Sequence, residues 1–370
     1  MMRELVIDLN AIVQNYKNMK ARFGTKVQAV VKADAYGHGM LPVARALEAA
    51  GVDAFGVADV QEALALRAAG IKSPILAWLH DPQDNFVDAL SKDIELGIAN
   101  LEQLERVLAA ARNTGIAAKL HLKIDTGLGR NGSSAALWPH LLEAVKSAAA
   151  SELVKVIAIF SHLSGTSEAD DWAQIARFDA AVAMADQLGV DYQLRHLTAS
   201  DGSLAYPQAH YDMVRVGIAL YGLDPFSDHR ASEYGLKPAM TARAKVVQTK
   251  EVSAGHGVSY GYLHTTNSDS TLALVPIGYA EGLPRNATGK AQVSLNGKRY
   301  PINSRVAMDQ FVLDVGNDSV KVGDEVVLFG DPATGAPSVD DLADACDTIN
   351  YEIVTRMGGR FKRVYLGAGE

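Results

Sequence analysis

Short apolar runs alternate with amphipathic stretches over the first two thirds of the chain. Eight of these runs, each five to eight residues long and rich in β-branched or small residues, predict strands. Amphipathic stretches such as 39–51 and 101–112, with apolar residues at helical spacing, separate most of them. The connection at 203–212 leaves little room for a helix. The predicted strands are 28–32, 54–59, 74–79, 94–99, 119–125, 154–160, 192–198 and 213–220.

Eight such strands with helical crossovers over about 200 residues predict a parallel (β/α)8 barrel. A doubly wound open sheet is the alternative, but no GxGxxG follows the first strand to support dinucleotide binding. After about Leu236 the chain consists of short strands separated by Gly, Asn and Asp turns, and Asn296-Gly297 predicts a hairpin. We therefore expect a barrel domain at 1–235 and a mainly β domain at 236–370. Residues 1–9 contain a further strand that could pair with the second domain.

The composition narrows the class of protein. Of 370 residues, 48% are hydrophobic and 21% charged, which is typical of a globular protein. The net charge of -8 argues against sequence-independent nucleic-acid binding, which needs a basic surface. Cys346 is the single cysteine, so neither an intrachain disulfide nor a cysteine metal cluster can form. Without a long apolar segment for a signal peptide or a membrane span, we expect a cytoplasmic protein with no metal and no membrane partner.

Polar side chains follow five of the eight predicted strands. In a barrel of this type catalytic residues collect at the carboxyl ends of the strands. Taken singly, each has a structural explanation: Lys123 could reach solvent, His162 could cap a turn, and Arg215 could pair with Asp212. Together they predict a positive rim that suits an anionic ligand, such as one carrying a phosphate and a carboxylate. The residues are Lys32, Tyr36, Lys123, Asp125, Arg130, Ser161, His162, His196, Ser200 and Arg215.

A lysine that reacts through its amine needs a lowered pKa, and neighbouring Arg and Lys charges would lower it. A reactive Lys32 beside phosphate and carboxylate sites indicates pyridoxal phosphate (PLP) and an amino acid. A phosphosugar enzyme would explain the phosphate site but not four motifs in the second domain that are dense in Tyr, Arg and Gly. These motifs are GHGVSYG (255–261), VPIGYAEGLPR (275–285), NSRVAMDQ (303–310) and TINYEI (348–353).

Seven blocks of the chain, taken in order, resemble the alanine racemase family. They are AVVKADAYGHG, KIDTGLGR, MVRVGIALYG, GVSYG, GYAEGLPR, RVAMDQ and INYE, and the similarity runs nearly end to end. The resemblance implies a PLP-dependent isomerase of barrel-plus-β-domain architecture. It also implies a head-to-tail homodimer that interconverts L- and D-alanine and supplies D-alanine for cell-wall peptidoglycan synthesis.

By resemblance, two residues would handle the α-proton on opposite faces of the cofactor. Lys32 would hold the cofactor as a Schiff base, and Tyr260 would act in the site of the partner subunit. Arg215 would hydrogen-bond the pyridine nitrogen. His162 and His196 would support that arginine, and His162 would link it towards Tyr260.

Other positions correspond to ligand contacts of the family. Arg130 would approach the phenolic oxygen of the cofactor and the substrate carboxylate, which the backbone at Met308 would also reach. Lys123 matches a position that family members often carry as a carbamate, which would orient Arg130. Around the phosphate would lie Tyr36, Ser200, Gly217, Ile218 and Tyr351. The narrow entrance corridor would contain Tyr279, Arg285, Arg305, Ile349 and Tyr351.

The chain departs from the family pattern at three points. Many members have an Asn-Ser pair after the seventh strand, whereas this chain has TASDG at 198–202, so the asparagine contact is absent and Ser200 remains. The segment 161–171 lacks the aromatic residue that often follows the histidine. Ala307 replaces a residue that is commonly cysteine.

Arg215 bears on the choice between reactions. Inversion needs proton transfer on both faces, which Lys32 and Tyr260 would supply. Arginine only donates hydrogen bonds, so a pyridine nitrogen beside it stays unprotonated, whereas barrel-type PLP decarboxylases place an acid there. The alternatives are a broad-specificity amino-acid racemase, another barrel-type PLP enzyme such as a decarboxylase, or a non-catalytic PLP-binding protein. Tyr260 in a second domain argues against the last of these.

Overall fold

Helices and strands alternate over the first 220 residues, and short strands dominate the rest. The structure, a computed structural model, describes residues 1–226, 228 and 231–367. Within these ranges no helix is long and apolar enough to cross a membrane. The helices are α1 Leu9–Phe23, α2 Lys32–Tyr36, α3 Met40–Ala49, α4 Val60–Ala68, α5 Phe86–Ser91, α6 Leu101–Thr114, α7 Trp138–Ala150, α8 Glu168–Leu188, α9 Ser200–Ala205, α10 Val339–Ala345 and α11 Asn350–Arg356. The strands are β1 Arg3–Asp8, β2 Lys26–Val30, β3 Ala54–Asp59, β4 Ile75–Leu79, β5 Glu95–Ile98, β6 Ala118–Lys123, β7 Val154–Phe160, β8 Leu194–His196, β9 Met213–Val216, β10 Met240–Lys245, β11 Gln248–Val252, β12 Gly257–Val258, β13 His264–Thr265, β14 Ser270–Val275, β15 Gln292–Leu295, β16 Lys298–Pro301, β17 Phe311–Asp314, β18 Glu325–Phe329 and β19 Lys362–Leu366.

The strands β2 to β9 form one parallel sheet in the order β8-β7-β6-β5-β4-β3-β2-β9. Two main-chain hydrogen bonds, Asp212 N to Arg195 O and Arg215 N to Thr198 O, join β9 to the region of β8 and close the sheet. Both are 3.1 Å long. Closure confirms the predicted (β/α)8 barrel and excludes the open sheet. It also brings the carboxyl ends of all eight strands to one rim.

All eight predicted barrel strands are present, and most of them are shorter than predicted. The first strand ends at Val30, because the backbone adopts positive φ values from Ala33, immediately after Lys32. Leu101, the first apolar residue of the amphipathic stretch 101–112, is 42% exposed because it occupies the first position of α6, next to the Asn100 cap. The short connection between β8 and β9 holds the six-residue helix α9.

The described residues divide into two compact units. The barrel unit contains Tyr16–Ala33 and Ala44–Leu220, and the β unit contains Met1–Asn15, Asp34–Val43 and the described part of Tyr221–Glu370. In the β unit, six strands form a sheet in the order β16-β15-β18-β10-β1-β19, and β11, β14 and β17 form a second sheet. The opening strand β1 pairs antiparallel with β10 and parallel with β19.

The Asn296-Gly297 pair forms the hairpin turn that the sequence predicts. Strands β15 and β16 pair antiparallel on either side of it, with Leu295 opposite Lys298. Asn296 has φ 51° and Gly297 has φ 79°. Positive φ at both central residues is typical of a type I′ turn, whose twist matches the twist of the strands it joins.

Candidate active site

Lys32 lies just beyond the end of β2, at the rim of the barrel. Burial lowers the pKa of its amine, and the charges of Arg130 and Arg215 lower the pKa further, against the carboxylate of Glu62. A lower pKa increases the fraction of free amine at neutral pH, and the free amine is the form that attacks a carbonyl carbon. The environment of Lys32 therefore fits a reactive amine.

Trp78 covers the Lys32 amine from inside the barrel rim. The Nζ atom lies 5.9 Å from the centroid of the indole ring. Gly56 leaves room for the ring, because a Cβ there would lie 2.8 Å from it. Gly97 leaves room for the backbone of Trp78, because a Cβ there would lie 3.1 Å from the Trp78 Cα. The indole face favours the ammonium form, so it partly opposes the effect of burial on the pKa. Trp78 is a site residue that the sequence analysis missed.

The chain leaves Lys32 in an unusual left-handed turn. Residues Ala33, Asp34, Ala35 and Tyr36 have φ between 51° and 54°. For residues with a Cβ this conformation costs roughly 1–2 kcal/mol each. Four successive residues in this region indicate a backbone that the surrounding contacts hold against its local preference.

Hydrogen bonds from both sides hold this turn. Asp34 accepts from the backbone N of Met40 at 2.7 Å and pairs with Arg363 Nη1 at 2.7 Å. His38 Nδ1 lies 3.0 Å from the carbonyl oxygens of both Ala35 and Tyr36. Burial lowers the pKa of His38 to about 4, so the imidazole is neutral and donates its Nδ1 proton to these carbonyls.

Replacing Ala33 with glycine is expected to stabilise the protein. Ala33 is exposed, so the change loses little packing while it removes the left-handed penalty. Glycine also raises the entropy of the unfolded chain, which leaves a net gain of about 0.5–1 kcal/mol. Urea unfolding measures the difference. The matched control is Ala109→Gly at an exposed position inside α6, which should cost about 1 kcal/mol. If Ala33→Gly lowered the free energy of unfolding as much as Ala109→Gly does, the backbone at Ala33 would not be strained.

Arg215 is a buried cation of the rim, and four hydrogen-bond partners surround its guanidinium. It is 5% exposed, and its Nη2 donates to the carbonyl oxygens of Ser161 at 2.8 Å and Leu197 at 2.7 Å. The two histidines flank it, with His196 Nδ1 2.8 Å from Nη1 and His162 Nδ1 3.0 Å from Nη2. It does not pair with Asp212, whose carboxylate binds Arg195 instead. Burial lowers the pKa of Arg215 to about 9.

Both histidines are held neutral. Burial, and after it the charge of Arg215, keeps the pKa of His162 and of His196 well below the ordinary value. A neutral imidazole accepts through one nitrogen, so His196 receives an N–H of Nη1. His162 shares one of the two N–H groups of Nη2 with the carbonyls of Ser161 and Leu197.

Lys123 ends β6 with its amine among other cations. It is 7% exposed, and Nζ lies 5.4 Å from the Phe160 ring. Burial lowers the pKa of Lys123 to about 8, and the charges of Arg215, Arg130 and Lys32 contribute to the lowering. It does not reach solvent.

Arg130 lies on a loop that folds back on the end of β6. Main-chain bonds Ser133 N to Lys123 O (2.8 Å) and Asp125 N to Ser133 O (2.9 Å) close the loop. The Asp125 carboxylate accepts from the backbone N of Gly127 at 2.9 Å. Arg130 itself is exposed, and its charge acts on Lys32 and Lys123.

The predicted phosphate contacts of the barrel unit meet beyond β8 and β9. The Ser200 hydroxyl accepts from the backbone N of Gly217 at 3.0 Å, and both residues are buried. Ser200 is the first residue of α9, and Ile218 begins a short 3-10 turn, Ile218–Tyr221.

The β unit brings the other two predicted phosphate contacts together. The ring of Tyr36 lies 6.3 Å from that of Tyr351 and 4.9 Å from that of Tyr221, between centroids. His38 stacks on Tyr221 at 4.4 Å. The sequence analysis did not single out Tyr221 and His38, because a sequence pattern does not show which rings pack against Tyr36 or against each other.

Tyr260 lies in the β unit on a strained segment and is 70% exposed. The residue before it, Ser259, has φ 60° and ψ -168°, a region populated almost only by glycine. The Ser259 hydroxyl donates to the Arg305 carbonyl at 3.2 Å. The neighbouring Tyr262 is 71% exposed. The Tyr260 phenol is therefore exposed, on a segment whose backbone is strained at the preceding residue.

The predicted corridor residues also lie in the β unit. The backbone N of Ala280, next to Tyr279, donates to Met308 O at 2.9 Å. Tyr279, Met308 and Ile349 are 44%, 53% and 58% exposed. Ile349 and Tyr351 line a cavity of about 60 Å³, and Arg285 is exposed while Arg305 is partly buried.

Known proteins match nearly the whole length of the chain. The family model described as "Alanine racemase, N-terminal domain" matches residues 7–225, and "Alanine racemase, C-terminal domain" matches residues 239–365. The alanine racemase of Salinispora tropica is 46% identical over 370 residues, 98% of each chain. That of Thermobifida fusca is 46% identical over 369 residues, 99% of this chain and 98% of the other. The solved alanine racemase of D-cycloserine producing Streptomyces lavendulae superposes with a TM-score of 0.97 at 44% identity, covering 99% of this chain and 97% of that one. That of Streptomyces coelicolor gives 0.96 at 41% identity, over 99% and 98%.

Proposed function

The chain belongs to the alanine racemase family, and from this premise we propose that it interconverts L- and D-alanine with PLP as its cofactor. The observation that carries the proposal is the cluster at the barrel rim. A partly buried Lys32 with a lowered pKa lies among the charges of Arg130 and Arg215. We propose the same division of the chain as in the sequence analysis, a barrel domain at 1–235 and a β domain at 236–370.

The donor set of the rim fits this cofactor. Lys32 offers an amine for the aldehyde, and Ser200 offers a hydroxyl and Ile218 a backbone N–H for the phosphate. Gly217 lies beside them and donates its N–H to the Ser200 hydroxyl. In the β unit Tyr36 and Tyr351 offer two phenols. When bound, PLP draws electrons from the α-carbon of the amino acid and so acidifies the α-proton.

Two residues of the chain move that proton. Lys32 takes or returns it on one face, and Tyr260 of the partner subunit does so on the other. A base on each face allows net inversion, because a proton removed from one side is replaced from the opposite side. The 70% exposure of Tyr260 in the single chain supports a role towards a second subunit. We therefore propose a head-to-tail homodimer.

Arg215 controls where negative charge accumulates. Its guanidinium only donates, so it cannot accept the hydrogen of a protonated pyridine nitrogen. By keeping the pyridine nitrogen of bound PLP unprotonated, Arg215 would leave more negative charge on the α-carbon and so would favour return of the proton there. Arg130 and the backbone at Met308 hold the substrate carboxylate. The corridor side chains narrow the entrance, so that only small amino acids can enter. They are the exposed Tyr279 and Ile349, together with Arg285, Arg305 and Tyr351.

We propose that Lys123 carries a carbamate that orients Arg130. With a pKa of about 8, roughly a quarter of the Lys123 amine is free at pH 7.5, against about a thousandth for an unperturbed lysine. Only the free amine adds to carbon dioxide. The product is an anion, which relieves the repulsion among Lys32, Arg130 and Arg215.

Carbon-13 NMR in ¹³C-bicarbonate is expected to show a carbamate resonance that is lost in Lys123→Met. The control is Lys119→Met, in the same strand, because Lys119 pairs with Asp93 and is more exposed. The carbamate assignment fails if the resonance is absent from the wild type or survives in Lys123→Met.

The single cysteine, Cys346, is buried and free, which suits the cytoplasm that we propose as the site of action.

Chiral analysis of each L-amino acid incubated with the purified protein and PLP tests the function. We expect equal amounts of D- and L-alanine with little conversion of other amino acids. Equal conversion of many amino acids would indicate a broad-specificity racemase, and loss of carbon dioxide would indicate a decarboxylase.

A further inference from the structure

A row of buried side chains runs through the barrel from Arg215 to Glu95. Arg215 Nη1 lies 2.8 Å from His196 Nδ1, and His196 Nε2 lies 2.9 Å from His121 Nδ1. His121 Nε2 lies 2.8 Å from Glu95 Oε2. Arg215, His196, His121 and Glu95 are 5%, 0%, 1% and 7% exposed. Water therefore does not interrupt the row, and each hydrogen bond depends on the next.

The chemistry of the two ends fixes the direction of every hydrogen bond. A guanidinium only donates, so His196 Nδ1 accepts and the proton of His196 is on Nε2. That proton is donated to His121 Nδ1, so the proton of His121 is on its own Nε2. A carboxylate only accepts, and Glu95 receives that proton. Both imidazoles are neutral Nε2–H tautomers, and the row joins a cation to an anion across four strands.

We propose that Glu95 and His121 are positioning residues for Arg215. They hold His196 in the one tautomer that presents a lone pair to Arg215, and this keeps the guanidinium aimed as a donor. The inference rests on the proposed function, in which Arg215 faces the pyridine nitrogen of PLP.

Loss of the Glu95 acceptor would reverse the donor–acceptor direction of the hydrogen bonds between the two histidines. His121 could then carry its proton on Nδ1 and donate it to His196, which would place the His196 proton on Nδ1, facing an N–H of Arg215. Two donors facing each other repel, and Arg215 would turn away. Its bonds to the carbonyls of Ser161 and Leu197 would remain, so Arg215 would be misaligned rather than unfolded.

Gln28 provides the comparison that separates this role from packing. It lies in β2 with 0% exposure, as deep in the barrel as the row, and its Nε2 donates to Phe55 O at 3.3 Å. Within the described residues its Oε1 has no partner. Gln28 lies opposite Arg215 in the pairing of β2 with β9, but its side chain belongs to none of the hydrogen bonds of the row. A substitution there disturbs the packing beside Arg215 without breaking the row.

Neutron diffraction of deuterated holoenzyme tests the tautomers directly. We expect deuterium on Nε2 of both His121 and His196 and none on Nδ1 of either. Deuterium on Nδ1 of either ring would overturn the proposal, whether or not the enzyme is active.

Three variants test the consequence, with titration of apoenzyme by PLP and with kcat and KM measured separately. Glu95→Met removes the acceptor and should weaken PLP binding and lower kcat by about tenfold each. Glu95→Gln keeps an acceptor oxygen and should stay within about threefold of the wild type. Gln28→Met should lose thermal stability while leaving PLP affinity and kcat unchanged. If Glu95→Met behaves as Gln28→Met does, or Glu95→Gln is as impaired as Glu95→Met, the proposal is wrong. An inactive wild type would instead refute the proposed function.

Discussion

Lys32→Ala is expected to lower kcat/KM for racemisation in both directions by about a thousandfold or more, because it removes both the amine that holds the cofactor and one of the two bases. The lowered pKa of Lys32 fits a nucleophile. The pKa of Lys123 is lowered as well, so the assignment of Lys32 rests on its place in the family's first motif. Borohydride reduction should trap PLP covalently on the wild type and not on the variant. Lys26→Ala is the matched control, because Lys26 is the exposed first residue of the same strand. Covalent trapping in Lys32→Ala would show that the lysine is assigned wrongly.

Tyr260→Phe is expected to lower racemisation by about a hundredfold to a thousandfold while leaving PLP bound. The substitution removes only a hydroxyl, and it does so on an exposed side chain outside the barrel cluster. In D₂O the variant should still exchange the α-proton of the enantiomer that Lys32 deprotonates, faster than it inverts that enantiomer. The wild type should couple exchange of both enantiomers to inversion.

Tyr262→Phe is the control for this change. Tyr262 lies two residues away on the same strained segment and is as exposed as Tyr260, so a general disturbance of the segment would affect both variants. We expect Tyr262→Phe to keep wild-type activity. Equal loss in the two variants, or full activity in Tyr260→Phe, would remove Tyr260 from the mechanism.

The barrel could be predicted from the sequence because the signal for each strand lies within a few neighbouring residues. Each strand is a short apolar run between amphipathic helices, and a parallel barrel brings all the strand ends to one rim. Lys32, Lys123, His162, His196 and Arg215 could therefore be selected before any contact was known. The charges of Arg130 and Arg215 act on Lys32 as expected from that placement.

The left-handed turn after Lys32 has no local signal. Its four residues include no glycine, although each has a positive φ. Hydrogen bonds with nearby Met40 and His38 hold it together with a contact from far along the chain, the pair of Asp34 with Arg363. A conformation imposed by tertiary contacts against local preference is not visible in a sequence pattern.

Glu95 and His121 were missed for a related reason. Each is a polar residue inside an otherwise apolar strand, which indicates a buried partner but not its identity. The partners follow from which side chains of β5, β6 and β8 point inward at the same height, and that depends on strand register. Trp78 was missed because the space for its ring is created by glycines in the neighbouring strands.

The pairing of Lys32 with Tyr260 of the partner subunit can be tested by complementation between two inactive variants. Heterodimers of Lys32→Ala with Tyr260→Phe, isolated by two different tags, contain one site with both bases and one with neither. Sites shared between subunits predict about half of the wild-type activity per dimer. Heterodimers of the wild type with the double variant should then be inactive, because each site lacks one base. The reverse result, inactive cross-variant dimers and half-active dimers of the wild type with the double variant, would contradict the shared site.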